Sequence, residues 1–170
     1  MRNSILSAVV IGTIAFSSPA LAEIRVEFIE GAPKDRFVFT NFSDCDIGAG
    51  IFKIDFTNSN AGLIFDVSGS GAGVEVFQPF ELTSGAEFLT TLPIISDGDQ
   101  LAVLDISGLK TNASIAFTID VDDTLGARAI TVSDSEISGT TVSFQSESTT
   151  VSTVMEEEAE VKLSLQECDA

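Results

Sequence analysis

The sequence predicts an all-β protein: an antiparallel β-sandwich, Ig-like or jelly-roll-like, forming a single domain after a signal peptide. Three observations carry the prediction. Apolar and polar residues alternate with period two along most of the chain. The alternating runs recur about every 8 to 12 residues and are separated by turns rich in Gly, Pro and Asp. β-Branched residues and the 13 phenylalanines fill the runs, as suits a pleated, half-buried surface. A closed barrel is the alternative that the same pattern allows.

Taken in chain order, residues 1–22 read as the signal peptide. Arg2 supplies the positive start, residues 5–16 form an uncharged and largely apolar run, and Ala20-Leu21-Ala22 after Pro19 is an A-x-A cleavage site. The apolar run is about 12 residues, short of the roughly 20 that span a bilayer. No Cys follows the cleavage site, so a lipid anchor is not expected, and no later stretch is long and apolar enough for a transmembrane helix. The domain is then 23–170, with a Ser/Thr- and Glu-rich C-terminal segment over 145–170.

Strands are predicted over 24–29, 37–42, 51–56, 63–67, 74–77, 87–92, 101–106, 112–122, 130–133, 141–144 and 159–166. The clearest is 112–122: Ala113, Ile115, Phe117, Ile119 and Val121 fall on one side, Ser114, Thr118, Asp120 and Asp122 on the other, which places the two aspartates outward. Gly31-Ala32-Pro33, the glycine-rich segment 68–73, Asp97-Gly98-Asp99 and Leu125-Gly126 read as turns. The best helical candidate, 155–160, runs into the alternation of Val161, Leu163 and Leu165 and gives way to a last strand. Residues 145–153 read as a loose connection before it.

Composition narrows the chemistry. The chain of 170 residues has 26 acidic against 8 basic residues, a formal charge of −18, and no His, Trp or Tyr. Such a charge repels nucleic acid. Without His there is no Ser–His or Cys–His nucleophile pair, and without Trp or Tyr the usual stacking platforms for sugars and bases are missing. Hydrophobic residues make up 44% of the chain, too many for an acidic disordered tail. Export makes Cys45 and Cys168, the only two cysteines, an expected disulfide. Its loop of about 120 residues would be worth at most about 5 kcal/mol in the chain-entropy model.

Three acidic groups compare as cation sites: Asp120, Asp122 and Asp123; Asp97 and Asp99; and Asp44 and Asp46 around Cys45. Solvated surface charge explains any one of them. For Asp120, Asp122 and Asp123 a weak Ca²⁺ site stands equally, completed by Asp97 or Asp99, because three carboxylates within four residues repel unless solvated or bridged. None of the segments has EF-hand spacing, and the glycine-rich segment lacks the Lys-Ser/Thr of a phosphate loop.

The stretches FIEGAPKDRF (28–37), LIFDVSGSGAGVEVFQPFEL (63–82), DGDQ (97–100) and IAFTIDVDDTLGAR (115–128) resemble small secreted bacterial proteins described as aggregation factor core proteins. The resemblance covers most of 24–143. It implies an adhesion or matrix role for an all-β module and carries no catalytic residues.

The functional expectation is therefore a secreted, non-enzymatic β-sandwich in cell-surface adhesion, aggregation or extracellular matrix, able to bind Ca²⁺. Its partner would be a cell-surface or matrix component, and its place the periplasm or the exterior. Two alternatives stand beside it: a hydrolase using acidic residues, and a ligand-free structural periplasmic domain. Mass spectrometry of the native product should find Glu23 as the first residue; a chain that retains residues 1–22 contradicts the export reading.

Overall fold

Period-two alternation resolves into two antiparallel sheets packed face to face. The computed structural model describes residues 22–73, 76–125 and 131–165; residues 1–21, which hold most of the expected signal peptide, and Cys168 lie outside them. The strands are β1 Ala22–Ile29, β2 Asp35–Asn41, β3 Gly50–Asp55, β4 Ile64–Phe65, β5 Glu81–Ser84, β6 Leu101–Ile106, β7 Ser114–Ile119, β8 Val121–Asp122, β9 Thr141–Gln145, β10 Thr150–Val154 and β11 Glu160–Leu165. One sheet has the order β11-β1-β2-β7-β5, the other β10-β9-β3-β6, and β4 pairs with β8 in a short ladder of its own. Among the described residues no helix is long and apolar enough to cross a membrane.

The core follows from which side chains alternate inward. Ile24, Val26, Phe28, Phe37, Phe39, Ile115 and Phe117 point in from the first sheet, and Phe52, Ile54, Leu104, Val142 and Phe144 from the second; all are buried. Phenylalanines form the seam. The Phe39 and Phe52 rings meet across the two sheets at 4.8 Å, Phe52 continues to Phe144 at 4.8 Å, and Phe37 contacts Phe28, Phe56 and Phe117 at 5.1, 6.3 and 5.4 Å. Each such pair adds about 0.5–1.5 kcal/mol beyond its buried area.

Several local expectations change. Residues 145–153 are no loose connection: β9 and β10 form a hairpin, with Thr150 opposite Gln145 and Val154 opposite Thr141. Threonine and valine suit an edge strand whose outer face stays wet. Residues 87–92 are not a strand. After β5 the chain turns at Gly85, whose φ of 81° suits glycine, enters a short 3₁₀ turn over Ala86–Phe88, and bridges Leu89 to Ile106. It is crossing from one sheet to the edge of the other. Of 74–77, Val74 and Glu75 lie outside the described residues, and Val76 and Phe77 are not in a strand. Of 130–133, Ile130 lies outside the described residues, and the rest leads into the short helix α1 Asp134–Ile137, started by a Ser133–Glu136 capping box.

The connections place the last two elements. The chain leaves β10 through buried Met155 and enters β11, so it crosses between sheets at their shared edge; Phe28 N–H donates to the Ala159 carbonyl there at 2.8 Å. β4 follows β3 of the second sheet, β8 follows β7 of the first, and their pairing joins the two sheets. Cys45 packs partly buried against the core and is not a free thiol.

Phe37→Ala should cost about 3–5 kcal/mol in urea unfolding, as for other buried large-to-small changes. Phe42 is 47% exposed and lies under the Arg25 guanidinium at 4.2 Å. Phe42→Ala should cost about 1 kcal/mol or less. Equal losses from the two variants would contradict a core organised around the phenylalanine seam.

Candidate metal centre

A run of apolar residues interrupted by one charge joins a group of converging carboxylates because of the β4–β8 ladder. Ile64 lies opposite Asp122 and Phe65 opposite Val121. The pairing continues past the ladder: Asp66 N–H donates to the Asp120 carbonyl at 3.1 Å, Gln78 N–H to the Asp66 carbonyl at 3.2 Å, and Asp120 N–H to the Gln78 carbonyl at 3.2 Å. Three backbone segments are thereby knitted side by side, and three aspartates go in with them. One carboxylate oxygen each of Asp66, Asp120 and Asp122 lies within 4.8 Å of the other two. The residues are 1%, 5% and 2% exposed, and Asp66 Oδ2 and Asp120 Oδ2 are buried without a hydrogen-bond partner. A buried acceptor left unsatisfied costs about 1–3 kcal/mol, more when charged.

This corrects the outward placement of Asp120 and Asp122. The dry face of 112–122 is as expected, with Ile115, Phe117, Ile119 and Val121 buried, but the opposite face closes over at its end. Asp120 sits at the break between β7 and β8, flanked by Asp66 and Gln78, so neighbouring backbone covers the side that alternation leaves wet. Asp123 is also buried, at 3%, but is not one of the three converging groups.

Asp97 and Asp99, expected to complete the site, do other work. Asp97 Oδ1 accepts the backbone N–H groups of Val67 and Ser68 at 2.7 and 2.6 Å, and its Oδ2 accepts the Ser68 hydroxyl at 2.6 Å. Those bonds, the Ser68 hydroxyl foremost, hold its carboxyl below the usual carboxylate range. Asp99 Oδ2 accepts Ser96 N–H at 2.8 Å within the turn. Asp46 is likewise committed, to Thr111 N–H at 2.9 Å and the Lys110 ammonium at 3.5 Å.

Two aspartates that patterning did not select belong here. Asp66 had a signal: a lone charge inside the apolar run 63–67 is out of place on a buried strand unless it has a role. Asp35, only 2% exposed, gave none. Its Oδ1 accepts Gly31 N–H and its Oδ2 accepts Val121 N–H, both at 3.1 Å, so it holds the residue between Asp120 and Asp122.

Burial and crowding raise the acidic pKa values. Burial pushes Asp35 to about 7 against its two backbone hydrogen bonds. Burial, then the neighbouring Asp122 charge, brings Asp66 to about 6. Asp120 rises to about 7 through burial and the charges of Asp122, Asp35 and Asp66. Other acidic residues are paired with cations: Arg25–Glu160, Lys34–Glu81, Lys110–Asp46 and Lys162–Glu23.

A hard cation would answer that repulsion. Ca²⁺ takes six to eight oxygens at about 2.3–2.6 Å in flexible geometry; the three carboxylates would supply part of such a set, with backbone carbonyls and water the rest. An all-oxygen donor set with no His or thiolate suits Ca²⁺ and disfavours Zn²⁺. Close approach is built in. A Cβ placed on Gly73 would lie 2.0 Å from Asp66 Oδ2 and 2.5 Å from Asp122 Oδ2, so only glycine lets the backbone reach the carboxylates.

The raised values set the pH dependence of the metal-free chain. Carboxyls whose pKa rises from 3.8 to 6–7 on folding hold more protons folded than unfolded across that window. Stability therefore falls as pH rises through it. With metal removed, the melting temperature should be higher at pH 5 than at pH 8. A metal-free chain that is most stable at pH 8 contradicts the crowded, buried arrangement.

Comparison with protein-family models, curated proteins and solved structures yields no match.

Proposed function

We propose that this chain is an exported, non-enzymatic β-sandwich whose joint between sheets is completed by one Ca²⁺ ion at Asp66, Asp120 and Asp122, and that it serves adhesion or extracellular matrix. One observation carries the cation reading: two buried carboxylate oxygens, Asp66 Oδ2 and Asp120 Oδ2, lack hydrogen-bond partners inside a group of three converging carboxylates. The adhesive role is supported by the resemblance of 28–37, 63–82, 97–100 and 115–128 to aggregation factor core proteins. The leader-like residues 1–22 support export, and with it the expected Cys45–Cys168 bridge. Periplasmic or extracellular Ca²⁺ in the millimolar range would load a site of about 10⁻⁴ to 10⁻³ M affinity.

The hydrolase alternative draws on the same carboxyls, since raised pKa values gather at catalytic sites. A glycosidase needs a sugar between its carboxyl groups. Exposures of 1% to 5% suit a dehydrated ion and not a saccharide. The same buried, unpartnered oxygens speak against a ligand-free structural domain.

Melting followed by far-UV circular dichroism tests the proposal, with NaCl at matched ionic strength as control. At about ten times Kd, Ca²⁺ should add about 1.4 kcal/mol, a rise of a few degrees. Asp66→Asn should abolish the Ca²⁺-specific rise. Asp99→Asn, which removes one charge nearby and keeps the turn's acceptor, should retain it. Equal shifts from both salts in the unaltered chain would refute the site.

A further inference from the structure

Resting on that cation reading, we infer that Asp97 is a positioning residue for the metal site, setting its affinity through the segment Ser68–Gly73 without touching the ion. Asp97 stands on a turn registered to β4. Gly98 N–H donates to the Phe65 carbonyl at 2.9 Å, and Phe65 N–H donates to the Asp99 carbonyl at 2.9 Å. From that frame its carboxylate takes the N–H groups of the two residues that directly follow Asp66, together with the Ser68 hydroxyl. Both oxygens are engaged this way, and Asp97 is not among the converging groups.

The same carboxylate sets where the glycine segment runs. A Cβ on Gly71 would fall 2.1 Å from Asp97 Cβ and 2.4 Å from its Oδ2, so the backbone lies directly on the Asp97 side chain. Two residues later the chain arrives against the Asp66 and Asp122 carboxylates, where a Cβ on Gly73 would fill the space. Asp97 thus fixes the start of the segment by hydrogen bonds and its middle by contact, and Gly73 forms one wall of the ion's cradle. Asp35 has a matching role at β8, through Val121 N–H. Partners that orient ligands typically govern affinity 10- to 100-fold.

Calcium titration calorimetry on the purified chain, at constant ionic strength, tests the inference. Asp97→Ala should weaken Ca²⁺ binding about 10- to 100-fold. Asp97→Asn, which keeps an oxygen to accept the Val67 and Ser68 N–H groups, should stay close to the unaltered Kd. Gly73→Ala should weaken binding by about tenfold or more. Glu157→Gln, which removes one exposed charge far along the chain in the turn before β11, should leave Kd unchanged. Melting of each variant in EDTA separates positioning from fold stability: a purely structural Asp97 would lower the metal-free melting temperature and leave Kd alone. An unaltered Kd in Asp97→Ala overturns the inference, as does an Asn variant as weak as the Ala variant, which would make the charge itself the determinant. If Asp97→Ala does not fold, Asp97→Asn and Gly73→Ala still decide. Absence of any Ca²⁺ binding by the unaltered chain overturns the cation reading and the inference together; binding that survives Asp97→Ala and Gly73→Ala overturns the inference alone.

Discussion

Mutual repulsion among aspartates at the joint between the two sheets is the constraint to which the surrounding structure answers. With 26 acidic residues against 8 basic ones, the chain already folds against its own charge. It nevertheless places Asp35, Asp66, Asp120, Asp122 and Asp123 out of water around one short ladder. Within a protein the attraction or repulsion of such charges is stronger than in water, and an unmet acceptor is costly. Protonation, hydrogen bonding or a cation must relieve it. The raised pKa values of Asp35, Asp66 and Asp120 record that demand.

The remainder of the sandwich supplies the rigidity that makes such a joint tolerable. Phenylalanine contacts run through the core from Phe28 to Phe144, and close packing of this kind resists the displacement that repelling carboxylates would otherwise cause. β8 follows β7 of that packed body after a single residue, and β4 pairs with it in a separate short ladder. Asp122 lies on that ladder, and Asp66 and Asp120 border it and are tied by backbone hydrogen bonds, the condition under which a site holds its geometry.

The aspartates divide by role. Asp66, Asp120 and Asp122 converge; Asp35 and Asp97 accept N–H groups from residues adjacent to those three and fix the backbone that carries them. Residues of one type thus either converge or support the backbone, and charge alone does not tell them apart. What separates them is where their oxygens point. A cation at the converging oxygens would link the two sheets at their joint, which suits a module that has to hold its shape where Ca²⁺ is abundant.

Period-two alternation and turn chemistry were enough to determine the sandwich class, the span of β6 and, to within a residue or two, β1, β2, β3, β9 and β11, because side-chain alternation and buried area are local properties of a strand. The density of acid at Asp120, Asp122 and Asp123 was legible for the same reason. Segments that change sheets were not: the crossing at 85–89 and the edge hairpin at β10 depend on which strand is free to accept them. The third converging carboxylate was not legible either. Asp66 lies more than fifty residues from Asp120, and only the pairing of β4 with β8 brings them together. The tertiary structure likewise turned Asp97 from a candidate ligand into a support, since an aspartate in a turn can face an ion or its own backbone, and the fold decides which.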